Sequence, residues 1–546
     1  MNDRLHRSTL PAHVVEPVTP AQVGVVHLGI GAFHRAHQAV FTELAARATG
    51  DLRWGILGVT QRSASVRDQL RPQGGVYAVL TTGTDATALD LVGSVVDVAW
   101  PAEDTPRVLA AIAAPTTHVV TLTVTEKGYA RAAGGGLDVE KVSSDLAALA
   151  AEHVLPAAEH VVARDPGPHS RTDHMVGGED GHGRAGASAI GLLVRGLAAR
   201  HREASAAGER RPLTVLTCDN MVDNGRVLER LVREAVDAAL PAGEGDALRA
   251  WLDADVTFPS SMVDRIVPAT TAAQRDAVEL ELGVRDEGLV VGEPFRQWVI
   301  EDRFAGPRPP WEAAGATLTS DVAPWEQAKL RMLNGTHSLL AYAGRLAGHA
   351  TLADAVADPA LRARAEAFMF DDALPTLSPP DGADLHAYGE SLLERFGNPA
   401  TGHTTVQVSM DGTQKIPIRW GGVVADRLAA GEVPAGAAFA LAAWCELVRR
   451  EVSAGREVDD PRAAELRAAV ARAVEGAGRG DGAAASPEAV ARALVALPGL
   501  LPAGTASDAR FLDAVVAEVA GLRTLVPGRY SRRRTPGGDT RSQRNP

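Results

Sequence analysis

Cysteine is nearly absent from this chain: Cys218 and Cys445 are the only two among 546 residues. Two thiols cannot make a disulfide framework and fall short of a cysteine-built zinc site, so a reduced, cytoplasmic setting is expected. A basic excess is missing too. Lys and Arg number 55 against 68 Asp and Glu, a net charge of −13. That excludes nucleic acid as a partner, because a phosphate-binding face needs positive charge. Nor does an uninterrupted apolar run of about 18 residues occur anywhere. The opening MNDRLHRSTLPAHVVEP has no apolar signal core, so neither a membrane span nor export by a simple signal is expected.

What is present is an ordinary globular composition, 45% hydrophobic and 23% charged, in a chain too long for one core. Two domains or more are therefore expected. Residues 22–30 read as a short buried strand running into Gly29-Ile30-Gly31-Ala32-Phe33-His34, followed by a helical pattern over 36–46. Runs 54–59, 76–82, 90–100 and 118–126 read as further strands, 107–114 as a helix, and 212–220 closes the series. Strands alternating with helices predict an α/β, Rossmann-type, doubly wound parallel sheet. Residues 162–188 are rich in Gly, His and Asp without periodicity and read as a mobile insertion. The spacing of His169, His174 and His182 within it matches no compact ligand set, so no metal is expected.

After about residue 320, strand-like runs give way to Ala/Leu/Arg segments with helical spacing, at 356–370, 424–454 and 461–477. The sequence thus divides into a dinucleotide-binding domain over 1–305, a mostly α-helical domain over 306–527 and a disordered basic tail over 528–546. The break falls at Gly-Pro-Arg-Pro-Pro (306–310), which interrupts any regular element.

Strand, Gly-x-Gly and helix form the layout of a dinucleotide site. The first glycine permits a tight turn, and the second lets the backbone approach a pyrophosphate. The third glycine of that fingerprint is missing, and His34 stands in its place. A simple structural turn is the competing reading. The candidate cofactor segment is His27, Leu28, Gly29, Ile30, Gly31, Ala32, Phe33 and His34. No carboxylate follows the second strand to hold a ribose, and Arg62 lies there and suits a 2′-phosphate, which leaves NADP open beside NAD, the expected coenzyme.

The most informative stretch runs from Glu326 to His337. On a regular helix, taking Lys329 as zero, Glu326 lies at about 60°, His337 at about 80° and Asn334 at about 140°. All share one arc with Leu333 and Leu340. Polar groups on an apolar face are costly unless each finds a partner, and burial draws an ammonium toward the pKa range useful in acid/base catalysis. A solvated polar stripe is the plainer alternative.

Taken together, VHLGIGAFHRAHQAV (26–40), TVTEKGY (123–129), TCDN (217–220), FPSSMVDRI (258–266), EPFRQWVI (293–300) and the Lys329…Asn334…His337 register resemble the mannitol dehydrogenase family. That family comprises long-chain, zinc-independent polyol and aldonate dehydrogenases with a Rossmann-type domain and a helical substrate domain. The resemblance runs over roughly residues 22–425. It implies Lys329 as catalytic acid/base, Asn220 and Asn334 as donors to the reacting oxygen, His337 as the residue that orients substrate, and Glu326 as the carboxylate passing the proton to solvent. Asp264 falls where the family has a substrate-contacting acid, although an ion pair with Arg265 explains it equally well.

Within the family, mannitol 2-dehydrogenases usually carry an arginine where this chain has Gln407, and Glu-Gly-Gly-Tyr where it has Glu126-Lys127-Gly128-Tyr129. The run from Val406 to Arg419 is more similar to the fructuronate reductase (mannonate oxidoreductase) branch. Its substrate is a sugar acid, for which Lys127, Lys415 and Arg419 are candidate carboxylate partners. The leading expectation is therefore NAD(P)-dependent interconversion of D-fructuronate and D-mannonate by a monomer or small homo-oligomer. Mannitol 2-dehydrogenase is the runner-up, and a non-catalytic nucleotide-binding sensor is the alternative from another class.

Overall fold

Val23–Leu28 (β1) divides its buried side chains between two cores. Val26 and Leu28 pack with Leu193 and Val194 of the helix Ala189–Ala207, while Val25 packs with Ala39 and Phe41 of the helix Gln38–Thr49. A strand buried on both faces is what a sheet sandwiched by helices requires. In this computed structural model, residues 4–84, 86–132, 134–154, 187–380, 382–475 and 486–522 are described. Nearly all of the 162–188 segment, with its three histidines, and the whole 528–546 tail lie outside them. The chain forms two compact units, Met1–Ala323 and Pro324–Pro546.

In the first unit β1 is followed by β2 (Gly55–Val59), β3 (Tyr77–Thr82), β4 (Thr87–Val92), β5 (Val95–Ala99), β6 (Val119–Leu122), β7 (Leu213–Thr217) and β8 (Val256–Thr257). Then come β9 (Ser261–Asp264), β10 (Val290–Gly292), β11 (Gln297–Glu301) and β12 (Thr317–Thr319). Six strands form an all-parallel sheet in the order β5-β2-β1-β6-β7-β8. This is the Rossmann order, whose strand succession reverses beside β1 and opens a crevice at the carboxyl ends there. Two small sheets, β10-β3-β4 and β12-β11-β9, complete the unit.

Several elements depart from the sequence reading. The run 90–100 is two strands in two sheets, because the chain turns at Gly93-Ser94. A Cβ on Gly93 would meet the Val18 carbonyl at 2.4 Å. The buried Glu43 carboxylate accepts from the Val18 and Gly93 amides there, at 2.8 and 2.9 Å. The helix expected at 107–114 starts earlier, at Pro101, where the fixed proline φ suits a first helical position. The helical pattern over 36–46 breaks at His37 (φ −125°, ψ −85°). The series of parallel strands ends at β8, not at 212–220. The first unit also reaches beyond residue 305 to Ala323: β12 pairs with β11, and Trp311 is buried in the core that holds Phe41 and Trp298.

The second unit is helical. Its central helix, Ala435–Ser453, is buried on nearly every side from Gly436 to Val448 and packs against the helices Gly335–Ala347 and Ala509–Leu522; a helix apolar all round belongs in a core. The segment 424–454 is interrupted around Gly431 and Pro434, and 356–370 at Asp358-Pro359, where Asp358 caps the next helix. Three stretches, Lys329–Asn334, Ala367–Ala373 and Pro417–Gly421, are π-helical, a rare geometry often found at functional sites.

Candidate active site

The glycine turn lies at the carboxyl end of β1. Gly29 has φ +99°, and a Cβ there would stand 2.2 Å from the Thr123 carbonyl, so both conformation and space demand glycine. Its amide and that of Ile30 donate to the Val59 carbonyl at 2.8 and 3.1 Å, latching β1 to β2. Gly31 differs. It is exposed, its φ is an ordinary −89°, and the nearest atom to an added Cβ is 3.9 Å away. Nothing among the described residues requires glycine at 31, whereas close approach of a ligand to that backbone would; the turn thus fits a dinucleotide.

The other residues of the segment sort by burial. Ala32 is exposed and Phe33 half-buried, whereas Leu28 and Ile30 are core residues. His27 and His34 are fully buried and stacked, ring centroids 3.4 Å apart. The Thr123 hydroxyl donates to the Gly29 carbonyl at 2.8 Å, so it accepts from His27 Nε2 at 2.9 Å, and His27 Nδ1 accepts from Thr121 Oγ1 at 2.7 Å. Burial pushes the His27 pKa down to about 3, which keeps the ring neutral. The His34 position, where a third glycine was looked for, is therefore a prop beneath the turn. Arg62 is exposed after β2.

Asn220 is exposed on the loop after β7, and Lys127 is exposed on the short helix Thr125–Gly128. Asp264 is buried at the end of β9. Its neighbour Arg265 spends its donors on the carbonyls of Glu293 and Ala36 and on Thr81 Oγ1. The sequence reading missed Asp219. Its carboxylate accepts from the Val124 and Thr125 amides, both at 2.9 Å, and from the Tyr129 hydroxyl at 2.7 Å. It thereby holds a segment in which Thr125 (φ +65°) and Ala130 (φ +47°) are both left-handed, a strained geometry for non-glycine residues. The motifs TCDN and TVTEKGY carry the two ends of this contact, Asp219 and Tyr129.

In the second unit, Glu326 and Lys329 are both buried, each 8% exposed. Lys329 opens the π turn Lys329–Asn334, and the helix Gly335–Ala347 carrying His337 follows directly. A turn with i→i+5 hydrogen bonds advances less angle per residue. Asn334 therefore stands closer to the face of Lys329 than the about 140° of regular pitch. The carbonyls at the end of that turn take side-chain donors from the π stretch Pro417–Gly421: Arg419 Nη1 reaches Asn334 O at 3.2 Å, and Trp420 Nε1 reaches Gly335 O at 3.1 Å. Arg419 Nη1 also donates to Ser338 Oγ at 2.7 Å.

Cations gather beside this turn. Burial lowers Arg419 to about 10, and burial with the Arg419 charge lowers Lys415 to about 8. Lys415 Nζ donates only to the Val408 carbonyl at 3.2 Å, and the buried Arg419 Nε has no hydrogen-bond partner among the described residues. His337 is half-buried, stacked on Phe396, and its Nε2 lies 3.3 Å from His403 Nδ1. Burial holds it well below its ordinary pKa, with His403, Arg419 and Lys415 adding to the effect. Gln407 is exposed on the short helix Thr405–Val408. Lys415, Arg419 and His337 are thus neighbours, whereas Lys127 is carried by the first unit. Among the described residues no group of three or more His, Cys, Asp or Glu side chains is arranged to hold a metal ion, and no helix is long and apolar enough to cross a membrane.

Residues 23–313 match the mannitol dehydrogenase Rossmann domain, and residues 321–479 match the mannitol dehydrogenase C-terminal domain. The chain belongs to the mannitol dehydrogenase family. It is accordingly an oxidoreductase. It is 38% identical to D-mannonate oxidoreductase of Escherichia coli over 500 residues, covering 90% of this chain and 92% of that one. It is 33% identical to a mannitol 2-dehydrogenase of Pyrenophora tritici-repentis, covering 82% of this chain and 73% of that one. Among solved structures it is similar to the Pseudomonas fluorescens mannitol 2-dehydrogenase ternary complex with NAD and D-mannitol. There the TM-score is 0.72 and the identity 29%, over 95% of this chain and 97% of that one.

Proposed function

We propose that this protein is an NAD-dependent mannonate oxidoreductase, interconverting D-mannonate and D-fructuronate with Lys329 as acid/base. The family makes it a polyol or sugar-acid dehydrogenase. The observation that carries the choice of a sugar acid is the pair Lys415 and Arg419. Both are half-buried beside the Lys329–Asn334 turn, and Arg419 Nε is buried without a partner among the described residues. An unpaired buried donor costs roughly 1–3 kcal/mol, and a carboxylate would recover it through a charge-assisted bond. The 38% identity to a D-mannonate oxidoreductase supports the same reading.

Gly29 and the open backbone of Gly31 would hold the pyrophosphate of a nicotinamide coenzyme, which when bound would supply the hydride acceptor. Lys329, as the base in the oxidation direction, takes the hydroxyl proton as hydride passes from the carbon to the coenzyme. Asn334 donates to the oxygen while it carries alkoxide character, the kind of oriented dipole that lowers such a barrier. Glu326, three residues before Lys329, passes the proton onward. His337 orients the substrate, and Lys415 with Arg419 holds its carboxylate. Asn220 as the second donor to the reacting oxygen, and Asp264 as a substrate contact, rest on the resemblance alone.

The test is NADH consumption with D-fructuronate and with D-fructose at matched concentrations. The expected result is a much higher kcat/KM for fructuronate. A clear preference for fructose would move the protein to the mannitol 2-dehydrogenase branch.

A further inference from the structure

His403 was not singled out by any motif, yet it is the one hydrogen-bond partner of the His337 ring among the described residues. We infer that His403 is a positioning residue, which fixes His337 in one tautomer and one ring orientation so that His337 Nδ1 meets the substrate in a defined donor or acceptor state. This rests on the proposed reaction for what the ring does, but not for the contact between the two rings.

The geometry comes from three sides. Phe396 lies flat against the His337 ring, with centroids 5.5 Å apart and planes inclined by 7°. The His403 ring meets its edge, Nδ1 to Nε2, at 3.3 Å. The His403 backbone is itself pinned, because its carbonyl accepts from the Leu352 amide at 3.0 Å. Two residues on, the Thr405 amide donates to the Ala350 carbonyl at 3.0 Å. An imidazole anchored in this way sits on a fixed segment rather than a free loop.

Chemistry then dictates the consequence. Both rings are held below the ordinary histidine pKa by burial, and Lys415 and Arg419 oppose a further positive charge on His337. Two neutral imidazoles in N···N contact must split the roles, one donating and one accepting. Whichever role Nε2 of His337 takes, Nδ1 takes the complementary one. Without His403 the His337 ring loses its hydrogen-bond partner, so neither its orientation nor its tautomer is tied to a neighbour, and only one state serves the substrate.

The experiment uses the full chain carrying 15N-labelled histidine rings, with the His337→Gln variant identifying the His337 signals. In the wild type, without substrate, the His337 nitrogens are expected at the shifts of a single neutral tautomer. In His403→Gln, which keeps polarity but moves the amide outward by a methylene, they are expected to shift toward the average of two exchanging tautomers. His403→Asn places an amide near the original Nδ1 and restores the wild-type pattern. Kinetics should follow: kcat/KM falls about 10- to 100-fold in His403→Gln, with the coenzyme KM unchanged, and recovers largely in His403→Asn. Unchanged His337 signals in a folded His403→Gln protein would overturn the inference, as would equal kinetic losses in both variants. Failure of the wild type to act on either sugar would overturn the proposed reaction and leave the ring signals to decide the contact.

Discussion

Lys415 and Arg419 are the residues on which substrate choice turns, and their charges have a pH signature. Lys415 is cationic below about 8 and neutral above it, so its pull on a carboxylate is complete at neutral pH and fades as pH rises through that value. The ratio of kcat/KM for D-mannonate over D-mannitol should therefore fall between about pH 7 and pH 9 in the wild type, and that slope should vanish in Lys415→Met. Arg419→Met should lower the same ratio at all pH values by roughly 10- to 100-fold, the size of one lost charge-assisted hydrogen bond. A ratio unaffected by either substitution would place the carboxylate elsewhere. The sequence revealed these two residues because both lie in the run from Val406 to Arg419, which resembles the mannonate oxidoreductase branch. It also offered Lys127, which the first unit carries on the short helix Thr125–Gly128. His403 escaped notice because nothing local marks it; its meaning comes from His337, 66 positions away.

Among the elements, the glycine turn and the π turn make separable predictions. Gly29→Ala puts a methyl into the Thr123 carbonyl at a φ that alanine rarely adopts, so the folded protein should lose stability by a few kcal/mol, on the order of a strained left-handed residue with a clash. Gly31→Ala meets nothing closer than 3.9 Å. Its melting temperature should stay within about 1 °C of wild type, while NADH affinity, read by fluorescence titration, drops. Equal behaviour of the two variants would refute the division of labour between them. Deleting one residue within Lys329–Asn334 should return the stretch to α-helical pitch and move the Asn334 and Gly335 carbonyls off their donors, Arg419 Nη1 and Trp420 Nε1. Turnover should be abolished while the far-ultraviolet helix signal is retained. The apolar spacing made the helix legible, and with it the polar arc; the π pitch was not, because its extra residue depends on donors from Arg419 and Trp420, distant in sequence. Likewise the split of 90–100 between two sheets depends on Glu43, half a domain earlier in the chain.

For the molecule as a whole, neutral buried histidines tie stability to pH. The His27 pKa stands at about 3 when folded and near 6.5 when unfolded. The stabilisation is thus complete above about pH 6.5 and is lost progressively as pH falls toward the folded value, by about 1.4 kcal/mol per pH unit. His34 and His337, lowered by the same burial, add to the slope in their own units. Thermal melts from pH 7.5 to pH 5 should show a steady fall in melting temperature; a flat profile would contradict the neutral, stacked pair beneath the glycine turn. The doubly wound first unit was readable from alternating strands and helices, and the helical second unit from its Ala/Leu/Arg spacing. Their boundary was not, because Gly-Pro-Arg-Pro-Pro interrupts the chain without ending the unit: Trp311 and β12 return to the first core. The measurement that tests the account most directly is turnover of D-mannonate by Lys329→Ala alongside its NADH affinity. The account predicts a loss of at least about 100-fold in kcat with the coenzyme dissociation constant unchanged, and a variant that turns over at near wild-type rate would contradict it.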